Sequence, residues 1–428
     1  MKIRTPTLDK KPDWKPDTES SLYSITYQVK TITPIYGGGV EAGVVDPDMP
    51  IRAAGIRGQL RYWWRFLQSN RKDDKRLEGK ELYDAERAIW GGMKTNRDGN
   101  DKKDCDAAGK VSVHVVINTK SQSENCNTLA NNRPGIQYAL FSAIQNDHEL
   151  QDKEVKFTLD LRAYKKEPNN ESKACNRGLT QEQWDSVFLT VRWWVNFCGI
   201  GARTRRGLGA IEVEGIASLS EEEVDAYGCK LKMLNSANDS IQAWNSAIEK
   251  LFQFRQGRGI GLGREQGNDN RPGRSHWPEP DTIRTLTHRH GHPVNHEAVG
   301  SFPRAMFGLP IIFEIRGHGE PPKTHLLPDG IDSSRMASPL IIKPVADGNG
   351  NYIPTALLLP TKHLDDLHVK LDKTEGKRRS WGVFDRNGNK AWWPSQEQEQ
   401  RAKAKKIEPM RERHHDPLHA FLKFFEEG

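Results

Sequence analysis

IRAAGIRGQLRYWWRFLQ (51–68) is the stretch from which the fold can be built outward. At 100° per residue from Ile56, the side chains of Ile56, Leu60, Trp63 and Leu67 fall within about 60° of one another, the buried stripe of an amphipathic helix. Arg57, Arg61 and Arg65 stack on the neighbouring face at i, i+4 and i+8, and Trp64 lies between the two faces. From Arg52 to Lys72 there are six basic residues and no acidic one. Like charges at i,i+4 repel by about 0.2–0.5 kcal/mol, so three arginines in register call for a counter-charge from elsewhere. Phosphates would supply it, met by the bidentate guanidinium fork, with a flanking tryptophan as a platform for an unpaired base. Acids from another element of the chain are the competing source. Phasing places Trp63 in the core and makes Trp64, with Arg57, Arg61 and Arg65, the expected contact row.

Around this helix the pattern alternates between strand and helix periods. LYSITYQVKTIT (22–33) is rich in β-branched and aromatic residues and reads as a strand, followed by the turn Gly37-Gly38-Gly39. VSVHVVIN (111–118) and VKFTLDLRAY (155–164) alternate as strands do. TQEQWDSVFLTVRWWVNF (180–197) reads as a helix with Thr180 at the N-cap and Gln183 at the capping-box position. LGAIEVEGI (208–216) closes the series as a last strand. Strand, helix, strand, strand, helix, strand is the ferredoxin-like arrangement, which RNA-recognition domains share. A first domain over 20–217 follows. In the second half, VDAYGCKLKMLNS (224–236) and SIQAWNSAIEKLFQFR (240–255) read as helical, and 307–317, 338–347 and 352–360 as strands. A second, degraded copy of the same fold over 218–428 is the expectation. The fold class is therefore α+β: two ferredoxin-like (RRM-like) domains with long insertions. The polar stretches 70–110, 119–135, 165–179 and 257–300 read as solvated loops. A charged tail precedes a short amphipathic helix, DPLHAFLKFFEEG (416–428).

Composition narrows the function classes. The chain has 428 residues, 35% of them hydrophobic, with a formal net charge of +7; mean hydropathy is −0.77. That balance points mildly to a polyanionic partner. No apolar run is long enough for a membrane span, and the N-terminus lacks the apolar core of a signal peptide, so a cytoplasmic protein without a membrane partner is expected. Five scattered cysteines with no CxxC suit a reducing compartment and argue against a cysteine zinc site.

GIGARTRRGLGAI (199–211) sets Arg203, Arg205 and Arg206 among four glycines. No GK[ST] follows, which excludes a Walker A loop, and the glycine spacing excludes a dinucleotide fingerprint. A flexible cationic clasp for a nucleic-acid backbone is the reading that remains. THRHGHPVNH (287–296) gathers His288, His290, His292 and His296, without the spacing of a metal site and with no partner fixed for acid–base catalysis. GRGIGLGREQG (257–267) reads as a linker. No catalytic residue, metal or cofactor is expected.

TPIYGGGVEAG (33–43), PIRAAGIRGQLRYWWRFL (50–67), GIGARTRRGLG (199–209), SHWPEPDTIR (275–284), PRAMFGLPIIF (303–313) and RMASPLIIKP (335–344), in this order, resemble the first RAMP subunit of the Cmr complex, the type III-B CRISPR effector. The resemblance spans about residues 31–345 and implies two ferredoxin-like RAMP domains. It implies a non-catalytic subunit at the end of the complex that holds the 3′ part of the guide RNA, helping to capture target RNA in antiviral defence. Guide RNA, target RNA and the other Cmr subunits are then the partners. Carried over by position, it puts Arg52, Arg57, Arg61, Trp63 and Trp64 at the RNA-facing surface, together with Arg203, Arg205 and Arg206. The alternative is a stand-alone RAMP endoribonuclease that processes guide precursor, which would need a histidine such as His288 or His290 beside a cationic loop.

Overall fold

The structure is a computed structural model that describes residues 21–427 apart from 42, 47, 93–107, 120–121, 152, 167–177, 266–267, 330–332, 366–367, 374–379 and 383–391. The first half runs β1 (Leu22–Thr31), α1 (Ala53–Asn70), α2 (Gly79–Trp90), β2 (Ser112–Thr119), β3 (Ser123–Asn125), α3 (Cys126–Ala130), α4 (Pro134–Gln145), β4 (Glu149–Gln151), β5 (Lys156–Tyr164), α5 (Gln181–Phe197) and β6 (Ile211–Val213). The second runs α6 (Glu221–Asp225), β7 (Lys230–Met233), α7 (Ser240–Gln256), β8 (Leu262–Glu265), β9 (Asn268–Ser275), α8 (Glu279–Thr287), β10 (Ile311–Phe313), β11 (Thr324–Asp329), β12 (Leu340–Ala346), β13 (Tyr352–Leu358), β14 (His368–Lys373), β15 (Ser380–Gly382), α9 (Glu397–Ala404) and α10 (Pro417–Glu426).

The four strands expected in the first half form one four-stranded sheet in the order β2-β5-β1-β6, each antiparallel to its neighbour. Period-2 burial explains its two faces. On β1, Tyr27, Val29 and Thr31 are buried while Ser24, Thr26 and Gln28 are exposed. Phe157, Leu159 and Leu161 of β5 extend the buried side, and α1 and α5 pack on it with Leu60, Trp63, Trp193 and Trp194. α5 begins as its sequence dictates: the Thr180 hydroxyl accepts from Gln183 N–H at 3.2 Å, and the Gln183 side chain returns to Thr180 N–H at 3.0 Å.

A second sheet, β12-β13-β7, is also antiparallel. It is buried on both faces. Leu340, Ile342, Ala356 and Leu358 join a core with α4, α7 and α10, whereas Ile341, Leu357 and Leu359 join the core beneath the first sheet. A strand buried on both sides shows no alternation, which is why 338–347 reads as one apolar run. Both cores draw residues from each half of the chain; α4, from the first half, packs on α7.

Several loop readings change. The stretch 70–110 holds α2, whose Glu86, Ile89 and Trp90 are buried. The stretch 119–135 holds β3, α3 and the start of α4, and 257–300 holds β8, β9 and α8. Residues 230–233, read as helical, form β7, with Leu231 paired to Leu357; glycine at 228 and the alternating KLKM suit a strand end. The glycine-rich 257–267 enters the β8–β9 hairpin. β10 and β11 pair with β14 and β15 in a further sheet. The reading of 165–179 falls mostly outside the described residues.

Candidate nucleic-acid interface

α1 carries the stripe its sequence predicts, with Ile56, Leu60, Trp63 and Leu67 buried, and it buries Trp64 as well. The counter-charge for its arginines comes from within the chain. Glu86 of α2, 5% exposed, accepts from Arg61 Nε at 2.8 Å and from Arg65 Nη1 with the same oxygen. Arg57 donates to Val111 O at 2.8 Å and also to Trp90 O; its burial, with Arg61 nearby, lowers its pKa. Arg52 pairs with Asp46 at 3.0 Å. The row read as waiting for phosphates is thus paired on one side, although Arg52, Arg61 and Arg65 remain partly exposed.

The two tryptophans are corrected more sharply. Trp63 and Trp64 are 1% and 2% exposed, so neither indole offers a face to a base. Trp64 stood at the edge of the apolar stripe; α5 covers that edge, and Trp64 Nε1 donates to Ser186 Oγ at 3.0 Å. Trp63 packs against Phe66, Trp193 and Phe197.

The glycine-arginine loop is a built turn and not a flexible clasp. Thr204–Arg206 form one 3-10 turn between Arg203 at φ +55° and Gly207 at φ +85°. A Cβ on Gly207 would meet the Trp244 indole at 2.5 Å, and one on Gly209 would meet Ile200 O at 1.9 Å. Glycine is required there by close packing. Arg203 donates to Ala139 O at 2.9 Å and lies 4.8 Å from the centre of the Tyr36 ring. Arg206 donates to Leu340 O at 3.2 Å, and desolvation pulls its pKa down to about 10. Arg205 reaches Ser338 O. Lys343 fixes the loop's start from behind: 1% exposed, it donates to Cys198 O at 2.6 Å and to Val195 O at 3.2 Å, filling the end of α5.

Helix and loop meet in a cleft. Gly55, Gly58, Gln59 and Tyr62 occupy one face of α1 and form one wall; Phe197, Cys198, Thr204, Arg205 and Ile341 supply the rest, with Trp63 at the floor. Its volume is about 350 Å³. Gln59 fixes this face, donating to Gly199 O at 2.8 Å and accepting from Trp194 Nε1 at 2.7 Å. Tyr62 is 38% exposed; burial raises its pKa and the neighbouring Arg205 opposes that shift. His363 has its pKa lowered by desolvation, with Arg205 pushing the same way. Of the residues expected from sequence, the cleft gathers Arg205 with the floor residue Trp63, while Arg203 and Arg206 turn to α4 and β12. The face that lines it, Gly55, Gly58, Gln59 and Tyr62, was passed over. Two glycines three apart inside a helix were the available signal, since each costs roughly 1 kcal/mol against alanine.

Ion pairs and hydrogen bonds hold several residues of the other motifs. Arg284, 7% exposed, pairs with Glu320 at 2.8 Å and with Asp281 at 2.6 Å, and Arg304 pairs with Glu279 at 3.2 Å. Burial raises the Asp281 and Glu320 carboxyls, but both lie below their usual range because Arg284 bonds to each, helped at Asp281 by the backbone N–H groups of His296 and Asn295 and at Glu320 by His292. Asp281 also accepts from Asn295 N and His296 N at 2.8 Å, which anchors the histidine loop. His292 pairs with Glu320, and His296 contacts His276 O at 3.0 Å. Among the described residues, no cluster of histidine, cysteine and carboxylate side chains could hold a metal ion, and no helix is long and apolar enough to cross a membrane.

Comparison with curated proteins gives no significant match. Among solved structures, the chain is similar to Cmr1 from Pyrococcus furiosus, at 14% identity and a TM-score of 0.43 over 79% of this chain and 88% of that one. It is also similar to a chain of the type III-B Cmr-beta complex bound to cognate target RNA, at 10% identity and a TM-score of 0.42 over 82% and 95%. Cmr6 from Pyrococcus furiosus matches at 14% identity and a TM-score of 0.21 over 45% and 98%. Residues 28–212, which hold most of the four-stranded sheet, both of its helices and the glycine-arginine loop, match the model of the RAMP superfamily.

Proposed function

We propose that this chain is a non-catalytic RNA-binding subunit of a type III-B CRISPR effector, placed at the 3′ end of the guide RNA and helping to capture target RNA. The observation that carries the reading is the convergence of two separate motifs, α1 and the glycine-arginine loop, on one cleft with Tyr62 and Arg205 at its walls. An aromatic ring and an arginine beside each other suit a single-stranded nucleic acid, whose bases stack and whose phosphates need cations. The RAMP match over 28–212 supports the same class. The strand order β2-β5-β1-β6 supports a ferredoxin-like unit over 20–217. The order β12-β13-β7, which repeats its first three strands, supports a degraded copy over 218–428. Sequence specificity is left to base pairing in guide-based effectors, so the protein reads backbone and shape.

The test is co-purification and cleavage together. Tagged full-length protein expressed with the Cmr subunits and a guide locus should bring down those subunits and guide RNA, and should leave labelled precursor RNA intact. A defined product that disappears in His288→Ala or His290→Ala would replace this reading with the endoribonuclease one.

A further inference from the structure

Gly55 and Gly58 sit inside an 18-residue helix, and a Cβ built on either meets nothing within 4 Å. Packing therefore does not demand glycine at either position, and neither has a positive φ. Glycine inside a helix is unfavourable relative to alanine, so two open glycines on one helical face are a stability loss that the fold does not explain. What they do is keep one wall of the cleft at backbone level. Larger side chains at 55 and 58 would fill it.

The remaining lining is chemically selective. Tyr62 stands one turn beyond Gly58 on the same face, partly exposed, and Arg205 lies next to its hydroxyl. At the floor, the indole N–H of Trp63, in a residue 1% exposed, has no hydrogen-bond partner apart from the weakly accepting Cys198 sulfur. A volume of about 350 Å³ falls at the lower end of the range of about 300–1,000 Å³ for small-ligand clefts, room for one planar unit and not for a duplex. Resting on the RNA-binding reading above, we propose that this cleft takes a single unpaired nucleotide of the bound RNA. Its base slides over the Gly55–Gly58 backbone against Tyr62, and its phosphate meets Arg205.

The experiment compares wild-type full-length protein with Gly55→Leu/Gly58→Leu, Gly58→Ala and Tyr62→Ala. Each is titrated with a short single-stranded RNA carrying one 2-aminopurine, whose fluorescence reports stacking, and each is melted. The expected result is a Tm at or above wild type in the glycine variants, from the gain in helix propensity. RNA affinity should fall about 5- to 150-fold in the double leucine variant and in Tyr62→Ala, the range that one stacked base supplies, with loss of the fluorescence change. Gly58→Ala, which adds only a methyl group, separates blockage from misfolding by keeping the raised Tm with a smaller affinity loss. Wild-type affinity and fluorescence in the double leucine variant would overturn the cleft while leaving the RNA-binding reading standing. Absence of binding by the wild-type protein, alone and with the other subunits, would overturn both.

Discussion

Glu86 Oε1 lies 2.8 Å from Arg61 Nε and serves Arg65 as well. One nearly buried carboxylate thus bridges two arginines that the helical pattern offered to phosphate and offsets one of their two charges. Replacing Glu86 with Gln leaves two cations beside a carboxamide, and the expected loss is about 1–3 kcal/mol. That is less than the 3–5 kcal/mol of a fully buried broken pair, because both guanidinium groups keep access to water. Urea unfolding of E86Q measures it, and a midpoint equal to wild type would show that the pair contributes nothing.

Trp64 makes a second division between packing and contact. Trp64→Phe keeps an aromatic ring but removes the bond to Ser186 Oγ and part of the buried indole, so RNA affinity should stay at the wild-type value while stability falls by about 1–3 kcal/mol. Trp64→Ala opens a cavity and should lower stability by about 3–5 kcal/mol. RNA titrations of the phenylalanine variant decide the point: a loss of affinity there would return Trp64 to the interface.

Lys343 predicts a pH dependence. Burial pulls its pKa from 10.5 down to about 7, with the neighbouring Cys198 opposing the shift. The unfolded chain therefore binds more protons at this site between about pH 7 and 10.5. Unfolding free energy should rise with pH across that window, by at most about 1.4 kcal/mol per unit, with no contribution below it. Lys343→Met should lose this slope and, by stripping Cys198 O and Val195 O of their donor, should loosen the start of the glycine-arginine loop. Denaturant titrations of both proteins at several pH values from 7 upward give the slope by difference; equal slopes would place Lys343 at an ordinary pKa.

How far the sequence carried the fold follows from where each signal resides. The strands of the first sheet were legible because one face is buried and the other wet, as at Tyr27 and Gln28. The capping box at Thr180 and Gln183 was legible because it is local. β12 gave no alternation because both faces are covered, and β7 is too short for its period to stand against the helical material around it. The site was half legible. Charge and glycine content marked the right two segments, but the partner of Arg61 and Arg65 lies 25 and 21 residues away on a helix that reads as a polar insertion. Helical phasing ranked the arginine face because it is charged, and ignored the glycine face because glycine in a helix reads only as weakness.

Arg205 supplies the electrostatic prediction. If its guanidinium meets one RNA phosphate, Arg205→Gln should weaken binding across sequences and reduce the slope of log K against log salt by about 0.7, one counterion released from a single strand. Affinities measured across a salt series give the slope. An unchanged slope would assign Arg205 to holding Ser338 O alone.

On the proposed function, RNA lies in the cleft between α1 and the glycine-arginine loop. Ultraviolet crosslinking of the assembled complex on guide and target RNA, followed by mass spectrometry of the adducts, tests it most directly. An RNA adduct is expected on Tyr62, absent in the double leucine variant at 55 and 58, and none on Trp64. Adducts confined to residues outside the cleft would contradict it.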